Sequence, residues 1–136
     1  MAIEKNITVS GKRKTSIAKA TIKAGSGKVL INKQPYENLD FFKALTIKEP
    51  IEIAKNVLGK FDFDISCKIQ GGGSESRIQA AKLAIAKSIV KFTGSEELKQ
   101  AYIKYDKSLL VADTRRKEAY KPGDSKARRK RQKSFR

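Results

Sequence analysis

The chain has 136 residues, enough for one domain that buries roughly two-thirds of the surface its unfolded form would expose. Apolar residues make up 39% of it and charged residues 33%, a balance that argues against disorder throughout. The 31 Lys and Arg residues against 14 Asp and Glu give a net charge of +17, which favours RNA or DNA as a partner, with an anionic membrane as the rival.

Several other protein classes do not suit the sequence. No run approaches the roughly 20 apolar residues of a spanning helix, and the N-terminus lacks the apolar region of a signal peptide, so we expect a soluble, intracellular protein without a membrane partner. With one cysteine and no histidine, the chain offers neither an internal disulfide nor the usual zinc or haem ligands. We therefore expect Cys67 in the core and no metal or cofactor.

A β-hairpin is predicted near the N-terminus. Residues 15–24 are typical of a strand, 25–27 of a turn and 28–32 of a second strand. Lys12, Arg13 and Lys14 precede the first strand as three adjacent cations. Such a run suits either a solvated loop or a phosphate contact, and the overall charge favours the contact.

A short helix and an alternating strand follow. Pro50 can occupy the first position of a helix that ends at Gly59. Residues 61–70 alternate apolar and polar side chains, which predicts a half-buried strand with one wet face. Asp62 and Asp64 lie on the polar face as a glycosidase pair could, but the alternation favours plain solvation.

Two further helices have clear end signals. Ser76 and Gln79 form a capping box, and apolar residues at helical spacing continue to Gly94. Ser95 caps the next helix, which we expect to stop near Asp106.

Three consecutive glycines at 71–73 precede the first of these two helices. They fail the dinucleotide-binding pattern, but they place flexible amides at a helix N-terminus, where a single phosphate could bind. A plain loop between strand and helix is an equally good interpretation.

The C-terminal segment differs in composition from the rest. Residues 113–136 hold eleven basic and three acidic residues, nearly half of the excess charge. Beyond Tyr120 the apolar side chains are Ala127 and Phe135, besides Pro122, too few to offset the entropy of ordering. We therefore divide the chain into a globular RNA-binding domain, 1–112, and an extended basic tail, 113–136. Its cation run predicts phosphate contacts, with a nuclear-localisation signal as the alternative.

Four motifs in a fixed order resemble the S-nine family of small-subunit ribosomal proteins, in its archaeal and eukaryotic branch. The motifs are residues 11–20, the glycines at 71–73 with their helix, residues 109–118, and the ending from 126 to 136. The resemblance implies an α+β fold with a four-stranded sheet backed by helices and a βαβ crossover of the unusual left hand, like that of the second domain of ribosomal protein S-five. The short N-terminus favours an archaeal source.

The resemblance also implies a function. It predicts a structural constituent of the small ribosomal subunit, without enzymatic activity or a small-molecule substrate, located in the cytoplasm. Its partners would be the 3′ major domain of the subunit's rRNA, neighbouring proteins of the subunit head and the tRNA in the peptidyl site. In the family the last basic residue contacts the anticodon stem-loop, which carries over to Arg136 with Lys133 as a neighbour. Phe135 departs from the tyrosine or lysine usual at that position.

The expected site residues fall into two groups. For rRNA they are Lys12, Arg13, Lys14, Gly71, Gly72, Gly73, Arg115, Arg116, Lys117, Lys121, Lys126, Arg128, Arg129, Lys130 and Arg131. For tRNA they are Lys133, Ser134, Phe135 and Arg136.

Two other interpretations remain open at this point. The charge alone also suits a non-ribosomal nucleic-acid binder, such as a chromatin-like protein or an RNA chaperone. An enzyme is the second alternative, because related folds host small-molecule kinases and a ribonuclease subunit, but a fold does not confer activity and no catalytic set is visible.

Overall fold

The computed structural model describes residues 5–117, so the predictions made for residues 118–136 lie outside the described part of the chain. The strands are β1 (Ile7–Arg13), β2 (Ser16–Ala24), β3 (Val29–Ile31), β4 (Gln34–Pro35) and β5 (Phe63–Gln70). The helices are α1 (Phe41–Leu58), α2 (Ser74–Thr93) and α3 (Glu96–Tyr105), with short 3-10 turns at Tyr36–Asn38 and Lys107–Leu109. The fold is therefore α+β, as predicted.

The sheet has the strand order β1-β2-β5-β3-β4. The β3–β5 pair is parallel and the other three pairs are antiparallel. Because α1 connects the parallel strands β3 and β5, this part of the chain is a βαβ unit. The sheet has five strands rather than four, and β4 consists of only two residues.

The strands predicted at 15–24 and 28–32 are confirmed as β2 and β3, but their predicted pairing as a hairpin is wrong. β2 and β3 do not pair, because β5 lies between them, with Ile22 of β2 and Val29 of β3 both aligned with Ile65. The carboxylate of Asp64 accepts hydrogen bonds from the amides of Ser26 and Lys28, at 2.9 and 3.1 Å. The loop after β2 is thus held against β5, which directs the chain to the far side of that strand. The expectation that Asp64 is merely solvated is also wrong.

β1 includes Lys12 and Arg13, two of the three cations for which the sequence left a solvated loop or a phosphate contact open. It pairs with β2 from Ile7–Ile22 to Arg13–Ser16. Gly11 permits this, because a Cβ there would lie 2.5 Å from the carbonyl oxygen of Ala80 in α2. The absence of a side chain lets the strand approach the helix backbone directly.

α1 begins at Phe41, nine residues before the predicted start at Pro50. Pro50 lies inside the helix, where it is buried and its carbonyl accepts a 2.8 Å hydrogen bond from the hydroxyl of Tyr102. Tertiary packing therefore outweighs the usual cost of a proline within a helix. The predicted end is confirmed: Gly59 has a φ of 78° and its amide donates to the carbonyl of Lys55.

The start of α2 differs from the prediction, whereas its end does not. Gly73 is the N-cap residue, and the Ser76 hydroxyl donates to the Gly73 carbonyl at 3.1 Å, so the capping box with Gln79 is wrong. α2 ends at Thr93 with Gly94 as its C-cap residue, as predicted. The Ser95 cap of α3 is confirmed, since its hydroxyl oxygen accepts a hydrogen bond from the amide of Leu98.

The core lies between the sheet and α2, with α1 and α3 beside α2. Small side chains at Ala18, Ala20, Ala80 and Ala84 are fully buried and bring strand and helix close together. Cys67 is buried as predicted, and this burial raises the pKa of its thiol to about 12, which keeps it protonated. Within residues 5–117 no helix combines the length and apolarity needed to cross a bilayer.

Candidate nucleic-acid interface

The turn between β1 and β2 packs against the glycine loop that precedes α2. The hydroxyl of Ser16 donates to the carbonyl of Gly71 at 3.0 Å and lies 3.1 Å from the Ser76 hydroxyl. Arg77 donates from Nε to the same Gly71 carbonyl at 3.0 Å. The fold therefore brings the predicted cation run 12–14 and the glycines 71–73, which are about sixty residues apart in sequence, to one end of the sheet.

The glycine loop needs its glycines for conformational and steric reasons. Gly71 and Gly72 have φ values of 76° and 70°, in the region that side-chain-bearing residues rarely adopt. A Cβ on Gly72 would lie 1.9 Å from the Ser16 hydroxyl. The N-cap residue supplies no side-chain hydrogen bond to the first turn of α2. The loop can thus present backbone amides of that turn to an anion.

Asp113 joins the end of the described chain to the β1–β2 turn. Its carboxylate forms an ion pair with Nη1 of Arg13, and Nε and Nη2 of Arg115 donate to the same carboxylate at 3.0 and 2.8 Å. These bonds from Arg115, assisted by Arg13, hold the pKa of Asp113 well below its usual range. The carboxylate stays ionised, and the start of the basic segment is fixed to the domain.

These groups line one cleft of about 430 Å³, which we call the basic cleft. It is lined by Lys12, Arg13, Lys14, Glu75, Ser76, Gln79, Lys82, Leu83, Ser108, Val111, Asp113 and Arg115. Five of these residues are cationic and two are acidic, so the cleft carries an excess of positive charge. Such a concave, basic, hydroxyl-bearing surface suits the phosphates and ribose groups of a nucleic acid.

The structure places the predicted site residues as follows. Lys12, Arg13, Lys14 and Arg115 line the basic cleft. The glycines 71–73 adjoin it through Ser16 and Ser76, and residues 116 and 117 are exposed just beyond it. The remaining expected residues, at 121, 126, 128–131 and 133–136, lie outside the described residues.

Two elements of the cleft did not emerge from sequence reasoning as site residues. Lys82 of α2 lines the cleft with a side chain that is 12% exposed and forms a 2.6 Å ion pair with Glu49 of α1. No local pattern reveals such a contact between two helices. Asp113 did carry a signal, because Asp often accepts a hydrogen bond from the amide two residues later, as it does from Arg115 at 2.9 Å.

Comparisons with known proteins agree with the motifs that the cleft brings together. The family model described as ribosomal protein S9/S16 matches residues 11–136, from Gly11 of β1 to the C-terminus. The chain belongs to this ribosomal protein family. It is similar to the small ribosomal subunit protein uS9 of Methanococcus vannielii, with 45% identity over 93% of this chain and 95% of that protein. The uS9 protein of Methanococcus maripaludis strain C7 is 46% identical over the same shares.

Membership of the S9 family decides between the interpretations that the sequence left open. It identifies the chain as a structural component of the small ribosomal subunit, associated with translation, rather than an enzyme. The methanococcal relatives are consistent with the predicted archaeal branch. The S9 match also includes the basic cleft and the whole segment beyond it.

Proposed function

We propose that the basic cleft binds small-subunit rRNA in the head of the subunit, within the 3′ major domain. The observation that carries this proposal is the convergence of Lys12, Lys14 and Arg115 on one cleft whose cations outnumber its acids. The glycines 71–73 would add backbone amides for a phosphate, and residues 116 and 117 would extend the contact. Arginine grips phosphate oxygens in pairs, whereas lysine supplies a point charge.

The segment beyond the cleft would act as an extended arm. We place the domain boundary at residue 112 and treat 113–136 as the tail, whose first residue is held by Arg13. From Gly123 to Arg136 an extended chain spans roughly 40 Å, well beyond the radius of the domain. The cations Lys121, Lys126, Arg128, Arg129, Lys130 and Arg131 would then bind rRNA along the path of the tail.

The end of the tail would contact the tRNA in the peptidyl site. Lys133, Ser134, Phe135 and Arg136 are the residues assigned to this contact, with Arg136 on the backbone of the anticodon stem-loop. Phosphate contacts position a partner without reading its bases, so the contact would serve any tRNA in that site. Neighbouring proteins of the subunit head would be the remaining partners, in the cytoplasm.

Binding of the cleft to rRNA can be tested by a change of salt dependence. K12Q/K14Q in the full chain should weaken binding to purified small-subunit rRNA. The salt slope, by which the logarithm of the binding constant falls with the logarithm of the salt concentration, should decrease in magnitude by roughly 0.7 to 0.9 for each phosphate that is no longer neutralised. Lys48 and Lys104 are exposed on α1 and α3, so K48Q/K104Q is a control with the same change in net charge. Equal slopes for the two variants would refute the cleft contact.

The tRNA contact needs a separate experiment with assembled subunits. Removal of residues 135 and 136 should lower the affinity of tRNA for the peptidyl site, while incorporation of the protein into the subunit stays normal. R136K keeps the charge and should retain most of that affinity. Unchanged tRNA affinity together with unchanged initiation fidelity after truncation would refute the contact and leave the rRNA proposal standing.

A further inference from the structure

The helices cover one face of the sheet and leave the other face polar and basic. Along β1, β2 and β5 the buried residues alternate with residues on this second face, which we call the outer sheet face. It comprises Thr8, Ser10, Lys12, Ile17, Lys19, Thr21, Lys23, Asp64, Ser66, Lys68 and Gln70. It contains four cations, of which only Lys12 is among the expected rRNA-binding residues.

Two lysines stand directly opposite each other at the centre of this face. Lys19 of β2 is aligned with Lys68 of β5, and both are exposed. Like charges directly opposite each other on neighbouring strands destabilise a sheet. Their chain neighbours, such as Ala18 and Cys67, are locked in the core, so a shift in register cannot separate the two charges.

The acids of the domain do not neutralise this pair. Among residues 5–117 no carboxylate lies within ion-pair distance of Lys12, Lys19 or Lys68. Asp64 lies opposite Lys23 on the same face and interacts favourably with its charge, and its carboxylate also accepts hydrogen bonds from the amides of Ser26 and Lys28. Within the described part of the chain the Lys19–Lys68 pair is therefore exposed and forms no ion pair, which leaves both charges available to an anion.

Small hydroxyl side chains surround the two lysines. Ser10 is aligned with Lys19, and Thr8 pairs with Thr21, which in turn pairs with Ser66. These short side chains keep the surface flat between the cations and can donate hydrogen bonds to phosphate or ribose oxygens. Lys12, on the diagonal from Lys19, belongs both to this face and to the basic cleft, so the two surfaces are continuous.

We propose that the outer sheet face binds a second stretch of RNA backbone through Lys19 and Lys68. This inference rests on the proposed rRNA binding and extends it to the opposite side of the sheet. Lysine is depleted in protein interfaces, and membrane docking requires apolar side chains that insert into the bilayer. Here the exposed apolar residue Ile17 lies within rows of polar side chains. An RNA backbone is therefore the favoured partner.

The test uses the full chain and purified small-subunit rRNA over a series of salt concentrations. K19Q/K68Q should weaken binding and lower the salt slope by roughly 0.7 to 0.9 for each phosphate that the two lysines neutralise. K48Q/K104Q removes the same charge from exposed helix positions and should leave the slope close to wild type. A slope for K19Q/K68Q equal to that of the control would overturn the inference. A melting temperature of K19Q/K68Q at or above wild type shows that the variant is folded.

A parallel variant separates this inference from the proposed function. R128Q/R129Q removes two tail cations: normal rRNA binding by this variant contradicts the proposed role of the tail but not that of the sheet. A photo-crosslinking residue at Ser66 then identifies the occupant in assembled subunits. Crosslinks to rRNA support the inference, whereas crosslinks to a neighbouring protein or to nothing overturn it.

Discussion

Arg13 and Asp113 form an ion pair that joins the last residue of β1 to a position one hundred residues later in the chain. Both side chains are partly shielded, at 21% and 27% exposure. Asp113 also accepts hydrogen bonds from the amide and guanidinium of Arg115. Residues 113–115 are therefore held beside the basic cleft.

Loss of the Asp113 carboxylate should release the chain at this point. In Asp113→Ala, hydrogen exchange at the amide of Arg115 should rise roughly tenfold, because its charged acceptor is gone. Asp62→Ala is the control, since Asp62 meets only the exposed Lys60 at 3.7 Å. Exchange at Arg115 that is unchanged in Asp113→Ala would show that the carboxylate does not hold this segment.

The Asp64 carboxylate should make stability depend on pH. Its hydrogen bonds from the backbone, chiefly that of Lys28, lower its pKa in the folded state. A carboxyl whose pKa is lower in the folded than in the unfolded protein stabilises the fold at pH values above its unfolded-state pKa. That contribution is lost as the pH falls through the folded-state pKa. Asp64→Ala should therefore lower the urea midpoint at pH 7 and lose most of that difference near pH 2.

The measurement is urea unfolding of both proteins at the two pH values. Asp62→Ala again serves as the control, because it removes a neighbouring carboxylate but leaves the hydrogen bonds from the amides of Ser26 and Lys28 to Asp64 intact. A difference between wild type and Asp64→Ala that stays constant from pH 7 to pH 2 would contradict the charge-based explanation.

The hydroxyl of Tyr102 should contribute to stability through Pro50. Tyr102 is fully buried and donates to the Pro50 carbonyl at 2.8 Å, which joins α3 to α1. Tyr102→Phe removes this bond and should lower the free energy of unfolding by about 1 kcal/mol. Tyr105→Phe, at a residue 59% exposed, should change it by less than about 0.5 kcal/mol. Denaturant unfolding of the two variants makes the comparison, and equal stabilities would contradict it.

The sequence predicted those elements whose signals are local. The alternation through Ile65, Cys67 and Ile69 identified β5, and left-handed glycines at 59 and 94 ended α1 and α2 where predicted. Local end signals work because the capping geometry depends on one or two residues. The Ser95 cap is a further case.

The errors concern positions where distant residues decide the structure. β2 pairs with β1 before it and with β5 some forty residues later, and only the bonds from Ser26 and Lys28 to Asp64 reveal why β2 and β3 do not form the predicted hairpin. Pro50 was expected at the start of a helix, where proline is favoured. No local pattern shows that its carbonyl accepts a hydrogen bond from Tyr102 of α3. For the site, the cations of residues 12–14 were predicted, but their contact with Asp113 depends on the completed fold.

Gly11 makes the most direct contact between the sheet and α2, and a single added methyl group should disrupt it. A Cβ there would lie 2.5 Å from the Ala80 carbonyl oxygen and 2.7 Å from the Ala84 amide nitrogen, which are backbone atoms of a buried helix and cannot move aside. Gly11→Ala should therefore destabilise the domain by about 1 to 3 kcal/mol through overpacking. The control is Ser10→Ala, on the outer sheet face, with an expected change of less than about 0.5 kcal/mol.

Thermal or denaturant unfolding measures both variants, and rRNA binding at a temperature where both are folded gives a second readout. Since β1 carries Lys12 and Arg13 into the basic cleft, displacement of the strand from α2 should weaken rRNA binding even in molecules that remain folded. A Gly11→Ala protein with the stability and rRNA affinity of wild type would show that β1 can recede from α2 without cost, and that the close approach does not position the cleft.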